Sequence, residues 1–216
     1  AVDFSDVDAN TDSYGGRLIS IEDTQEMLQA EYAPQSSFLQ ILNVVNGLNN
    51  LSVSIPGVLD NAILNYTVNM ATFIPEGNNS ININGITHTF NSQKSKRILI
   101  IATGNAQNTE IFDIQSTNLG ATELNYKRRF INAAPDVSTL QVKSDTTDKA
   151  TVFAENIFYK EASEVETLTQ EKKFALYFYN QETGKKIYTA PDLMMTLKKN
   201  YSVVFFGNNR TGYGIA

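Results

Sequence analysis

The chain has 216 residues and 24.0 kDa, with 17 basic against 23 acidic side chains, for a formal charge of −6. At 42% hydrophobic and 19% charged it carries enough apolar mass to close a core and too little charge for a disordered chain. Cysteine is absent and His88 is the single histidine, which excludes disulfides, thiolate metal sites, cysteine nucleophiles and multi-histidine cages, and the longest apolar runs, 98–102 and 203–206, fall far short of the ~18 residues of a spanning helix.

Residues 1–36 carry eight acids and one base, residues 37–125 five and three, and residues 126–216 ten and thirteen. The acidity therefore belongs to the N-terminal segment, where Asp3, Asp6, Asp8 and Asp12 stand among Ser, Asn, Thr and Gly. Such a stretch cannot bury enough apolar surface to offset its ordering entropy, so residues 1–16 read as a solvated acidic tether. The alternation Asp6, Asp8, Asn10, Asp12 imitates a calcium loop, but Thr11 stands where glycine should turn the chain and Arg17 where a bidentate glutamate should close the site. No metal or cofactor is expected. A start at Ala1 fits a cleaved export signal or a trimmed chain. Ser20 predicts the cap of a short helix over about 21–31 with Glu22 and Asp23 in its first turn, packed on the first of the units described next.

From residue 37 the hydrophobic period is two: Leu51, Val53 and Ile55 alternate with Ser52 and Ser54, and Ile81 and Ile83 with Asn82 and Asn84. Strands are predicted near 38–45, 50–55, 62–69, 71–74, 80–84, 86–90, 97–103 and 109–115, and again near 127–133, 138–143, 150–154, 162–168, 174–180, 186–189, 200–206 and 211–215. Turn-forming clusters such as NGLNN, PEGNN and ETG separate them.

The two sets are copies. Residues 38–55 align without a gap on 127–144, pairing Ile41 with Phe130, Leu42 with Ile131, Asn43 with Asn132, Leu51 with Leu140 and Val53 with Val142 at an offset of 89. Near each end ILIIATGN resembles YSVVFFGNN, so Gly104 matches Gly207 at an offset of 103. The second unit absorbs the difference in surface loops. Two immunoglobulin-like β-sandwiches in tandem, over 37–116 and 126–216 behind an N-terminal segment 1–36, account for this pattern; a barrel in each unit is the structural rival. The connecting residues 114–126 leave the orientation of the units open.

The stretch RRFINAAPDVSTLQV, residues 128–142, resembles the opening motif of domain-of-unknown-function family 4397, an R-[FV]-x-[NH]-[AS]-[AS]-P-[DN] strand and turn, over Arg129, Phe130, Asn132, Ala133, Ala134, Pro135 and Asp136. The strand VVFFG at 203–207 is similar to that family's closing strand. The first unit departs from the motif, with Val44, Val45, Asn46 and Gly47 in place of the alanines, proline and aspartate. The resemblance implies a secreted or surface-attached bacterial immunoglobulin-like module, in tandem and on a lipoprotein, with no catalytic activity.

Physically, proline pre-sets a turn, aspartate accepts from nearby amides, and Asn132, with its counterpart Asn43, can satisfy backbone groups where the strand ends. His88 lies in a strand with only Glu76 and Asp60 as sequence neighbours of opposite charge. Glu164 and Glu166 flank Val165 as a solvated pair. Lys127, Arg128 and Arg129 precede a strand and serve, with the lysines near turns, to keep edges soluble; their spread disfavours nucleic acid. Tyr177 and Tyr179, out of phase with Phe174, Leu176 and Phe178, form an outward aromatic surface able to stack on sugar or anchor a protein. No nucleophile elbow or phosphate loop occurs. The reading is a non-enzymatic exported module, periplasmic or outer-membrane-attached in a bacterium and joined to the membrane only through an N-terminal lipid anchor, that works in protein interaction or adhesion. A carbohydrate-binding module is the alternative and an unrecognised enzyme the third reading.

Overall fold

The computed structural model describes residues 20–22, 36–94, 96–116, 121–144 and 150–216. The tether expected over 1–16 and residues 23–31 of the expected helix lie outside them. The described residues are all-β, in two sandwiches. Strand β1 (Ser20–Glu22) comes first. The first sandwich holds β2 (Ser36–Asn43), β3 (Asn50–Ile55), β4 (Leu59–Asn65), β5 (Asn69–Pro75), β6 (Gly77–Ile83), β7 (Ile86–Ser92), β8 (Arg97–Asn105) and β9 (Asn108–Ser116). The second holds β10 (Tyr126–Asn132), β11 (Thr139–Lys143), β12 (Val152–Phe158), β13 (Glu166–Leu168), β14 (Lys172–Asn180), β15 (Lys185–Met195), β16 (Lys199–Asn208) and β17 (Gly212–Ile215). Each predicted strand has an observed counterpart, although β15 runs six residues past its expected end and β13 begins four residues late.

Each sandwich pairs an outer sheet with an inner one. The outer sheets run β4-β3-β6-β7 and β12-β11-β14-β15; the inner ones run β5-β2-β8-β9 and β1-β16-β10-β13, with β17 also on β16. The sheets end on separate edge strands and do not close into barrels. Alternation holds in the outer sheets, where Leu51, Val53 and Ile55 are buried and Ser52 and Ser54 half-buried. It fails in the inner ones. At the centre of each inner sheet the first strand of the unit lies parallel to the seventh, β2 beside β8 and β10 beside β16, and these strands are buried almost without interruption. Parallel strands covered on both faces read as continuous apolar runs, which is what ILIIA and VVFF are.

Three cores result. One lies inside the first sandwich around Leu39, Ile41, Leu51, Val53, Ile81 and Ile100, and one inside the second around Phe130, Leu140, Val142, Phe178, Val203 and Phe205. The third lies between the two inner sheets and joins Leu42, Val44, Leu99 and Ile101 to Ile131, Ala133, Val204 and Phe206. By the repeat spacing Leu42 corresponds to Ile131, Val44 to Ala133 and Ile101 to Val204, so both units use the same face. The molecule is four sheets deep.

The N-terminal segment behaves differently from expectation. Ile21 and Glu22, read as the opening of a helix on the first sandwich, instead form β1, antiparallel to β16 of the second with Ser20 opposite Tyr201 and Glu22 opposite Lys199. The edge of β16 offers unpaired backbone groups, and an extended segment satisfies them where a helix could not.

Gly104 and Gly207 show why the second repeat match exists. Both have positive φ, 93° and 99°, and a Cβ on either would lie 2.2 Å from a backbone carbonyl oxygen, that of Asn108 or of Gly212. Each precedes the tight return of a hairpin, β8 to β9 and β16 to β17. Alanine at either position should lower stability by about 2 kcal/mol or more. Gly184→Ala, where φ is also positive but nothing lies within 4 Å, should cost only about 1 kcal/mol. Urea denaturation midpoints of the three variants test the ranking; equal losses would mean that the carbonyl approach is not what selects glycine.

Candidate functional site

The motif residues form a corner that the two units build in the same way. Asn132 is fully buried and uses both amide hydrogens, donating to the Val137 carbonyl at 2.7 Å and the Ile157 carbonyl at 3.1 Å, while its Oδ1 accepts from the Ala134 amide at 3.2 Å. Asn43 donates to the Leu48 and Leu64 carbonyls at 3.1 and 3.4 Å and accepts from the Val45 amide at 3.0 Å. One side chain thus stitches the end of the inner strand to the turn that follows it and to an outer strand, because a carboxamide alone presents two donors and an acceptor in one plane. Pro135 and Asp136 are exposed at the centre of the turn closed by the Val137 amide on the Ala134 carbonyl at 3.1 Å. Asp136 then braces the β16–β17 hairpin, accepting from the Asn209 amide at 2.7 Å and the Tyr213 hydroxyl at 3.1 Å. In the first unit Gly47, at φ 81°, takes the place of Asp136, and Asn46 donates to Thr211 of that same hairpin.

A further repeat escapes gap-free alignment. Tyr66 and Tyr159 correspond at an offset of 93: the Tyr66 amide donates to the Asn49 carbonyl at 2.7 Å and the Tyr159 amide to Ser138 at 3.1 Å, and the following residues, Thr67 and Lys160, both at positive φ, donate to the carbonyls of Asn43 and Asn132 at 2.7 and 2.8 Å. Each tyrosine reaches the other unit, Tyr66 against the third core. Tyr66 packs edge-on against Phe206 at 6.1 Å, and Tyr159 lies beside Glu110, which takes an ion pair from Lys160 at 2.5 Å. Thr103 completes the seam by donating to the Ala133 carbonyl at 2.5 Å. The orientation that the linker composition leaves open is therefore fixed by buried contacts. The end of the connection is tied to the second sandwich, where the Lys198 amide donates to the Asn125 carbonyl at 2.9 Å.

The basic cluster is not where the sequence suggests. Arg128 and Arg129 lie inside β10 and are buried, at 0% and 5% exposure, rather than solvated ahead of it. Arg128 faces the second core, with its guanidinium 4.1 Å from the Phe153 ring centre and 5.5 Å from that of Phe130, and its Nε donates to Glu166 at 2.7 Å. A planar, weakly hydrated guanidinium tolerates such stacking where an ammonium would not. Glu166 is thus an ion-pair partner, and Glu164 stays exposed outside the strand. Arg129 points to the opposite face, donates to the Ser202 hydroxyl at 2.9 Å, and is pulled down to about 10 by burial.

His88 finds its partner far along the chain. Its Nε2 lies 3.0 Å from Asp113 on β9, and its ring stacks on Phe90 at 6.2 Å. Asp113 in turn accepts from the Gln115 side-chain amide at 3.0 Å. Tyr177 and Tyr179 are half-buried on the outer face of β14, out of phase with buried Leu176 and Phe178. The Lys186 ammonium lies 5.6 Å from the Tyr177 ring centre and that of Lys143 4.7 Å from Tyr179. On the other outer sheet an open hollow of about 540 Å³ is lined by Ser54, Asp60, Ser80, Asn82 and Thr87 around the β3–β4 turn. Among the described residues no cluster of three or more His, Asp or Glu could hold a metal ion. No protein-family model matches the chain, and no curated protein matches it either.

Two outcomes follow from this geometry. Asn132→Ala should cost about 3 kcal/mol, because it strands two buried carbonyls and one amide, and Asn132→Asp should be nearly as damaging because a carboxylate cannot donate; urea melts decide, and a loss under about 1 kcal/mol would remove the corner's role. The second outcome concerns alkali. Burial holds the phenol protons of Tyr66, Tyr159 and Tyr213 above the ordinary value of 10.0, helped by Glu110 at Tyr159 and by Asp136 at Tyr213. It also pushes Tyr126 up to about 12. Above pH 10 these four phenols hold more protons in the folded chain than in the unfolded one and outnumber the single proton that Arg129 releases early, so stability that is complete below that pH is lost as it rises further. Denaturation midpoints from pH 8 to 11.5 should fall from about pH 10, and less steeply in Tyr159→Phe; a level profile would show that these phenols titrate alike in both states.

Proposed function

We propose that the protein is a non-enzymatic, exported module of a bacterial envelope that works by protein contact, in adhesion, assembly or presentation. The observation that supports this most is the third core. It locks two sandwiches into one block whose two outer sheets face away from each other, and the Glu110–Lys160 ion pair and the Thr103–Ala133 hydrogen bond bridge the units beside it. A rigid body with two separate faces suits holding partners apart at a set distance. The likeness of residues 128–142 to family 4397 supplies the address, exported and attached through an N-terminal lipid, for which residues 1–16 serve as the tether.

A specific observation favours the carbohydrate-binding alternative: Tyr177 and Tyr179 do lie on an outer face. The lysine ammonium groups over their rings weigh against it, since they compete for the π face on which a sugar would stack. Binding of the fluorescently labelled chain to intact bacterial cells separates the readings. Pretreating the cells with protease should abolish binding and periodate should leave it unchanged. Loss on periodate alone, with Tyr177→Ala/Tyr179→Ala equally impaired, would replace protein contact by sugar recognition, and turnover of a substrate panel would replace both by an enzyme.

A further inference from the structure

Strand β16 carries two strands on one edge. Strand β17 pairs antiparallel with its second half, Phe205 opposite Ile215 through Asn208 opposite Gly212, and β1 pairs antiparallel with its first half, Tyr201 opposite Ser20 through Lys199 opposite Glu22. The Val204 and Ala216 backbones exchange both hydrogen bonds, at 2.8 and 2.9 Å. The register is continuous: counting on from Ile215 opposite Phe205, β1 takes the positions that β17 would reach had it run on, with only Val203 and Ser202 between. In the first sandwich one strand does the whole task, since β9 pairs with β8 from Asn105 to Arg97. The second sandwich thus completes its inner sheet with a segment from outside its own repeat.

That segment is held by little covalent constraint and few bonds. Three residues make a short strand. Residues 23–35 separate it from β2, a span of up to about 43 Å when extended, so the chain's connectivity does not restrict it to its own β16. The pairing is made by backbone groups, which are identical in every copy, and the register sets Glu22 of the donor against Lys199 of the acceptor. We propose that the Lys199–Tyr201 edge of β16 is a strand-acceptor site whose occupant is exchangeable, and that residues 20–22 of a second copy of this chain pair there in the register of β1, linking copies through the strand. Because donor segment and acceptor edge are different surfaces, the exchange can be reciprocal and close a two-fold pair, or run on heterologously from copy to copy. The inference stands on strand register and needs no particular function.

The absence of native cysteine makes the test unambiguous. By the alternation fixed at Val204, Lys199 and Glu22 form a non-hydrogen-bonded antiparallel pair, the kind whose Cβ atoms come close enough for a disulfide. Full-length Glu22→Cys, isotopically labelled, is mixed with unlabelled Lys199→Cys, warmed to allow exchange, and oxidised, and mixed dimers are counted by mass. Arg210→Cys replaces Lys199→Cys in a parallel mixture as the control for random collision. At least tenfold more mixed dimer with Lys199→Cys than with Arg210→Cys is expected, and Ile21→Pro in the donor copy should return it to the control level. Equal yields with the two partners would overturn the proposal. So would a disulfide that forms within the double variant Glu22→Cys/Lys199→Cys and never between chains, which would make β1 a fixed part of its own sandwich.

Discussion

The constraint on which the structure depends is the burial of the two inner sheets on both faces. A sandwich standing alone has outward faces that must be polar; here the outward faces of β2, β8, β10 and β16 carry buried Leu42, Ile101, Ile131 and Val204, because each is the other's cover. Burying a side chain such as Leu42, Ile101, Ile131 or Val204 is worth about 1.5–3 kcal/mol, so separating the units would expose a cost comparable to the whole stability of a domain. The units therefore fold and persist as partners. The parallel strand pair at the centre of each inner sheet belongs to the same logic, since parallel pairs are found where both faces are covered.

Most of the architecture was readable because one repeat was written twice. The alternation in residues 51–55 and 81–83 identifies outer strands, and the offset of 89 carries the assignment from the first unit to the second. What could not be read follows from contacts between units. Tyr66 and Tyr159 fall beyond the gap-free match, past a connection four residues longer in the second unit, and their shared place becomes evident only through the carbonyls their neighbours reach. The unbroken runs ILIIA and VVFF did carry a signal of double coverage, one that a two-residue period cannot express. Arg128 and Arg129 were misread because charge in a sequence suggests solvent. The rings of Phe130 and Phe153 and the carboxylate of Glu166 make burial tolerable for Arg128, and the Ser202 hydroxyl receives Arg129, all partners brought from a distance or from the next strand.

The N-terminal segment shows the same limit in another form. Ser20, Glu22 and Asp23 satisfy the local rules for beginning a helix, and Ile21 and Glu22 nevertheless lie in a strand. Local preference amounts to a few tenths of a kcal/mol per residue, whereas an open sheet edge holds a row of amides and carbonyls that gain partners at once. For Asn43 and Asn132 local and global demands agree, which is why asparagine survives where the turn beside it has changed from proline and aspartate to asparagine and glycine.

The position of β1 also separates the order of the chain from the order in which it would bear tension. The first sandwich comes earlier in sequence, yet a pull applied at the N-terminal end meets β16 of the second sandwich before it meets β2. While β1 stays zipped to that edge, the load passes into the distal half and the proximal half is relieved; only once it peels away is β2 strained. The segment is placed like a mechanical fuse, yielding first and sparing the folded units behind it.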